Sequence, residues 1–133
     1  MCSALTPDDF TKAGVPVSRL QGASLDDNKS VYCVYDGEAG KVELDLFYPA
    51  GDTPAEANNA FRAAQSAIGG KFEPLSVAGA DEASTNAASP KGTDEASIVV
   101  RKGTTVFNLS IPHNTRAREQ LVKLSELVIS RLK

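Results

Sequence analysis

Two β-prone runs, 96–102 and 105–111, are separated only by Gly103-Thr104. A two-residue link containing glycine between such runs is the signature of a hairpin. Ile98 and Val100 fall on one face, and Thr105, Phe107, Leu109 and Ile111 on another. A hairpin commits its strands to antiparallel pairing, because parallel neighbours need a long crossover. This feature constrains the fold more than any other in the chain.

An earlier segment repeats the theme. Val31-Tyr32-Cys33-Val34-Tyr35 is rich in β-branched and aromatic residues. After the turn-like stretch 36–40, residues 41–48 alternate: Val42, Leu44, Leu46 and Tyr48 against Glu43, Asp45 and Phe47. That period of two predicts a half-buried strand paired with the run before it. A further strand is expected over 72–77, continuing after Gly79 into 80–84, with Pro74 favouring a sheet edge. Residues 15–30 and 85–95 are polar or rich in Ala, Ser, Gly and Pro, and both read as loops.

Helix starts are marked twice. Thr6-Pro7-Asp8-Asp9 and Thr53-Pro54-Ala55-Glu56 each place a hydroxyl N-cap before a proline and an acid at the third position. The first predicts a short helix, 7–13, with Leu5 and Phe10 spaced as a hydrophobic staple and Gly14 as its stop. The second opens a helix whose Ala57, Ala60, Phe61, Ala64, Ala67 and Ile68 share a face, ending at Gly69-Gly70. A last helix, about 115–132, carries Ala117, Leu121, Leu124, Val128 and Leu132 at helical spacing. The expected order is α-β-β-α-β-β-β-α over 1–133 as a single domain. The fold class is α+β, a mainly antiparallel sheet with helices packed on one or both faces.

Several segments together resemble a group of small secreted or lipid-anchored bacterial domains of unknown function. These start Cys-x-Leu-Leu-Thr-Pro-x-Glu, matched here by Cys2-Ser3-Ala4-Leu5-Thr6-Pro7-Asp8-Asp9, and carry a second cysteine beside an aromatic residue, here Tyr32-Cys33. Val77-Ala78-Gly79-Ala80-Asp81-Glu82-Ala83 is similar to the group's Val-x-Gly-x-Gly-Asp-x-Ala turn, and 100–109 to its Val-Arg-x-Gly-x-x-Val-Phe-x-Leu hairpin. Ala4, Asp9 and Ala80 depart from the pattern. The resemblance implies export and no assigned catalytic residues. Some relatives look like the PsbP-type fold or like sensor domains of bacterial receptor kinases.

In an exported chain, two cysteines suggest one bridge, Cys2 to Cys33. It would close a loop of about 30 residues and restrict the unfolded chain by roughly 3–4 kcal/mol. Two free thiols and a lipidated Cys2 stay open as alternatives. The spacing rules out a CxxC redox pair, and a lone histidine gives zinc no ligand set, so no metal or other cofactor is expected. The chain shows no signal-peptide pattern, and Met1 directly before Cys2 reads as a start placed on a trimmed export signal. The expected location is therefore extracytoplasmic, periplasmic or secreted, with membrane tethering of a longer form also open.

The remaining chemistry is sparse. The net charge is −3, with basic residues scattered among acidic ones, which argues against nucleic acid. No apolar run is long enough for a transmembrane helix. Phosphate-loop, dinucleotide and nucleophile-elbow motifs are absent. His113, with Arg116 and Arg118, marks a candidate anion site at the start of the last helix. Tyr32, Phe47 and Tyr48 mark a candidate ligand or partner surface on the first hairpin. The acidic pairs Asp8-Asp9, Asp26-Asp27, Asp81-Glu82 and Asp94-Glu95 lack the spacing of a calcium loop. These features favour a non-enzymatic binding or accessory module acting on an unknown small molecule or envelope protein. The alternative is a small hydrolase centred on His113.

Overall fold

A computed structural model describes residues 5–26, 30–38, 40–47, 52–89 and 95–131, with main chain only at 21–26, 30 and 47. Helix α1, Pro7–Lys12, starts as its sequence predicts. The Thr6 hydroxyl accepts from the Asp9 amide at 3.3 Å, and the Asp9 carboxylate accepts from the Thr6 amide at 2.8 Å. That reciprocal pair satisfies two amides that a helix end leaves open. Leu5 and Phe10 are both buried, and Gly14, at φ +88, turns the chain out of the helix.

The chain then enters a strand where the sequence suggested a loop. Strand β1, Val17–Asp26, pairs antiparallel with β2, Ser30–Gly37. Its register slips between Val17 and Arg19 and again between Leu20 and Gly22. Each slip interrupts the alternation of inward and outward side chains. Val17 is buried while Ser18, Arg19 and Leu20 are exposed. No period-two pattern survives to be read, and the main-chain ladder alone defines the strand.

Strand β3, Lys41–Phe47, forms the expected hairpin with β2. Helix α2, Pro54–Ile68, is capped by the Thr53 hydroxyl, which accepts from the Glu56 amide at 3.2 Å. Strand β4 is only Glu73–Pro74, shorter than the predicted 72–77, and β5 spans Glu82–Thr85. Strands β6, Glu95–Lys102, and β7, Thr105–Pro112, complete the hairpin at Gly103, whose φ is +60. Helix α3 runs Ala117–Arg131. The observed order is thus α-β-β-β-α-β-β-β-β-α, with one strand more on each side of α2 than expected.

All strands join one sheet in the order β1-β2-β3-β7-β6-β5-β4, each neighbour antiparallel. Pro74 sits at the far edge, as its missing N–H requires. The 85–95 stretch is not wholly a loop. The Thr85 hydroxyl donates to the Ser97 carbonyl at 2.7 Å, and Asn86 Oδ1 accepts from the Ser97 amide at 2.8 Å. Residues 90–94 lie outside the described ones.

Helices cover both faces of this sheet. On one, α1 and α3 share a core with Val31, Cys33, Tyr35, Leu44, Ile98 and Phe107, among others. On the other, Ala57 and Phe61 of α2 pack on Val99 and Val106. The sequence placed Ile98 and Val100 on a different face from Phe107 and Leu109, and the sheet corrects this. Ile98 lies opposite Leu109 and Val100 opposite Phe107, and directly opposed residues project to the same side.

The two ends of the chain meet at α1. Arg131 donates to both oxygens of Asp9, at 2.6 and 3.2 Å. The guanidinium and the cap hold the Asp9 carboxyl well below the usual carboxylate range, against some opposing burial. A depressed pKa means stability that is present above pH ~4 and is lost as pH falls toward the folded-state value. Asp9→Asn is therefore expected to destabilise the protein by about 1–2 kcal/mol at pH 7, after discounting for partial exposure of Arg131. Denaturant melts at pH 7 and pH 2 should show that difference shrinking at the lower pH. An unchanged difference would mean that the ion pair contributes nothing.

Candidate ligand surface on the sheet face beside α2

Side chains at alternate positions of β2 and β3 project away from the α1–α3 core. Tyr32 lies opposite Asp45, Asp45 opposite Asn108, and Asn108 opposite Val99. One step along, Val34 lies opposite Glu43, Glu43 opposite Ser110, and Ser110 opposite Ser97. These two rungs cross four strands on the face that α2 covers at Val99. Where α2 sits, the face is apolar; toward β3 and β2 it turns polar.

That polar region is unusual in its burial. Asn108 is 7% exposed, Ser110 6% and Ser97 2%. The two serine hydroxyls satisfy each other at 2.7 Å. Asn108 does not share in this pair, and its amide is not among the buried side-chain atoms left without a partner, which are Asn58 Oδ1, Arg101 Nε and Ser125 Oγ among the described residues. Asp45, directly across from it, is half-buried, and its carboxylate has neither a hydrogen bond nor an ion pair among the described residues. Carboxylates are rarely drawn out of water without an ion partner, so the half-buried Asp45 marks the place as something other than packing.

The electrostatics follow from the same crowding. Burial, with the Glu43 charge added, pushes the Asp45 carboxyl up to about 6. Burial first, then a hydrogen bond to Glu43 and the charges of Asp45 and Glu95, pushes the Tyr32 phenol up to about 12. The region is thus electronegative and holds Tyr32 firmly protonated at neutral pH. Arg101, on the same face, is turned toward Asp81 and Glu82, each at 3.7 Å, and among the described residues no cation pairs with Glu43 or Asp45. Among the described residues, no group of three or more His, Cys, Asp or Glu could hold a metal ion.

The residues singled out from sequence land in several places. Tyr32 belongs to this surface. Phe47 enters it through its main chain, opposite Val106, while its side chain and Tyr48 lie outside the described residues. His113 is exposed, its Nε2 at 3.0 Å from the Ala87 carbonyl. Arg116 pairs with Glu119 at 3.6 Å, and its amide donates to Asn114 Oδ1 at 2.8 Å, so Asn114 already caps α3. Arg116 and Arg118 line an open groove of about 510 Å³ with Ala13, Glu119 and Lys123, and His113 is not among its lining residues. Cys33 is fully buried and is not a free thiol, while Cys2 lies outside the described residues, as do Asp27 and Asp94. The Asp81-Glu82 pair is accounted for by Arg101.

Sequence reading missed Glu43, Asp45, Asn108 and Ser110 as a group. One signal was present. Asn108 and Ser110 alternate with Phe107, Leu109 and Ile111 in a strand that pairs on both sides. Polar alternation in a central strand points to a face that its helices leave partly open. No known protein-family model matches this chain, and no curated protein matches it in sequence.

Because the Asp45 pKa is raised on folding, the charged form disfavours the native state. The stability associated with its protonated form is full below pH ~4 and is lost as pH rises through about 6. Asp45→Asn should accordingly be more stable than the parent above pH 6, by about 1 kcal/mol after discounting for half-exposure, and equal to it below pH ~4. Thermal melts across that range check the sign; a variant less stable at pH 7 would contradict it.

Proposed function

We propose that this protein is a non-catalytic, exported binding module whose ligand rests on the sheet face beside α2, at Tyr32, Glu43, Asp45 and Asn108. One observation carries the reading. The half-buried Asp45 carboxylate stands directly across a strand pair from Asn108, which is 7% exposed, and has no ion pair among the described residues. Holding a carboxylate partly out of water without an ion partner is costly, and a bound ligand would offset that cost. A carboxyl whose pKa burial raises, lying outside the core, is a frequent mark of a functional surface.

A binding role is favoured over a hydrolase because the chemistry of attack is not supported around His113. The imidazole meets a main-chain carbonyl, and the buried serines hydrogen-bond each other rather than a base. Export is supported by the likeness of Cys2–Asp9 and Tyr32-Cys33 to secreted bacterial domains, and by Cys33 not being a free thiol. A Cys2–Cys33 bridge would fasten the segment before α1 to strand β2. The Tyr35 hydroxyl already reaches the same region, donating to the Leu5 carbonyl at 3.0 Å. A PsbP-like or sensor-like kinship belongs to the same proposal.

Two measurements test this. A ligand screen read by amide chemical shifts should find compounds that move residues 32, 43–45 and 108–110, with the response lost in Asp45→Asn. Shifts confined to the α1–α3 groove would place the site elsewhere and overturn the assignment. Alkylation and mass measurement of the unreduced protein should find no reactive thiol, and reduction should lower stability by roughly 3 kcal/mol. Two labelled cysteines would remove the bridge and weaken the case for export.

A further inference from the structure

The two edges of the sheet are built differently. Natural edges are guarded by short strands, prolines, charges or bulges. The β4 edge follows that rule, with two residues, Glu73 and Pro74, and a proline that offers no N–H. The β1 edge does not. At ten residues β1 is the longest strand described, and β2 is its one neighbour in the sheet. It holds no proline, and no charge lies between Arg19 and Asp26. Leu20, on this strand, is the one large apolar side chain left exposed among the described residues, at 42%. The register slips at Ser18 and Gln21 guard the first half alone; from Gly22 to Asp26 the ladder to β2 is unbroken.

We infer that β1 is a docking strand for a second copy of this chain, the two β1 strands pairing antiparallel about a two-fold axis at Ala23. Strand β2 serves as the ruler. Seven consecutive positions, Asp36 back to Ser30, stand opposite Arg19, Leu20, Gly22, Ala23, Ser24, Leu25 and Asp26, with Ala23 in the middle. Reversing β1 about that midpoint sets Ala23 opposite Ala23, Gly22 opposite Ser24, Leu20 opposite Leu25 and Arg19 opposite Asp26. Each pair joins positions on the same side of the sheet, as direct opposition requires. Moving the centre one position either way sets Leu20 or Leu25 opposite Ala23 and loses the charge pair.

Charge selects the occupant. With a cation near one end and an anion at the other, β1 is complementary to its own reverse, and opposite charges directly across a strand pair stabilise it. Arg19 Nε already meets Asp36 at 3.0 Å, but the side chain is largely exposed, and a guanidinium carries five N–H groups, enough for a second carboxylate. A two-fold contact of this kind is closed, so assembly stops at two copies. Both α2 helices then lie on the same side of one continuous sheet, and the rung through Tyr32 and Ser24 of one copy runs on into the other. A single strand pair is small beside the ~1,200–2,000 Å² of stable complexes, so the dimer forms reversibly with concentration.

Sedimentation velocity of the unreduced full chain from about 10 µM to about 1 mM tests this. The expected result is a shift from monomer to dimer as concentration rises, with slowed hydrogen exchange at amides 19–26 in the dimer. Arg19→Glu sets like charges across both ends of the pair and should weaken dimerisation about tenfold, because each substitution counts twice. Leu20→Lys should weaken it by a similar factor. Combining Arg19→Glu with Asp26→Arg should restore the parent's dimer. Amide spectra of the dilute variants report whether each keeps the fold; if Leu20→Lys does not, the charge exchange alone decides. A monomer at every concentration overturns the proposal. So does a dimer that neither single variant weakens, since its contact lies elsewhere, and so do species larger than the dimer. Failure of the double variant to restore pairing overturns the register about Ala23.

Discussion

The ladder between β3 and β7 is the contact on which the rest of the molecule depends. It pairs residues 43–47 with residues 106–110 across about half the chain. Without it there would be two separate meanders, β1–β3 and β4–β7, each with an exposed edge and half a core. With it, Leu44 and Leu46 meet Leu109 and Phe107 over one continuous surface that α1 and α3 can cover. The entropic cost of closing so long a loop is recovered by apolar burial along the full sheet.

The same ladder creates the candidate site. Asp45 meets Asn108 and Glu43 meets Ser110 only because β3 and β7 adopt this register. A slip by one residue would send both carboxylates into the apolar core, which the burial cost of a charge forbids. Fold stability and site geometry are thus set by one pairing. α2 then decides how far the site is desolvated, since its Ala57 and Phe61 cover Val99 and Val106 while the neighbouring rungs stay half open. The raised pKa of Asp45 follows from burial first and from the neighbouring Glu43 charge second.

Much of the architecture was legible in local patterns. The caps at Thr6 and Thr53, the alternation from Val42 to Leu46 and the link at Gly103 each encode their element through nearest neighbours. β1 was not legible, because two register slips erase its periodicity and its pairing with β2 is made by main chain. Of the site, Tyr32 stood out as an aromatic on a hairpin, whereas Asp45 and Asn108 looked like the polar half of ordinary alternation. His113 and the two arginines stood out by rarity and by position along the chain; in the structure His113 meets the Ala87 carbonyl and Arg116 pairs with Glu119.

By itself, then, the sequence determined the helices, the hairpins and the antiparallel α+β class, because capping, alternation and turn chemistry act within a few residues. Only the tertiary structure decided which strand lies beside which, that α2 takes the opposite face from α1 and α3, and that an aspartate and an asparagine far apart in the chain stand directly opposite each other. The reason is physical: a local pattern fixes which way a side chain points, but its neighbours across a sheet depend on the packing of the whole chain.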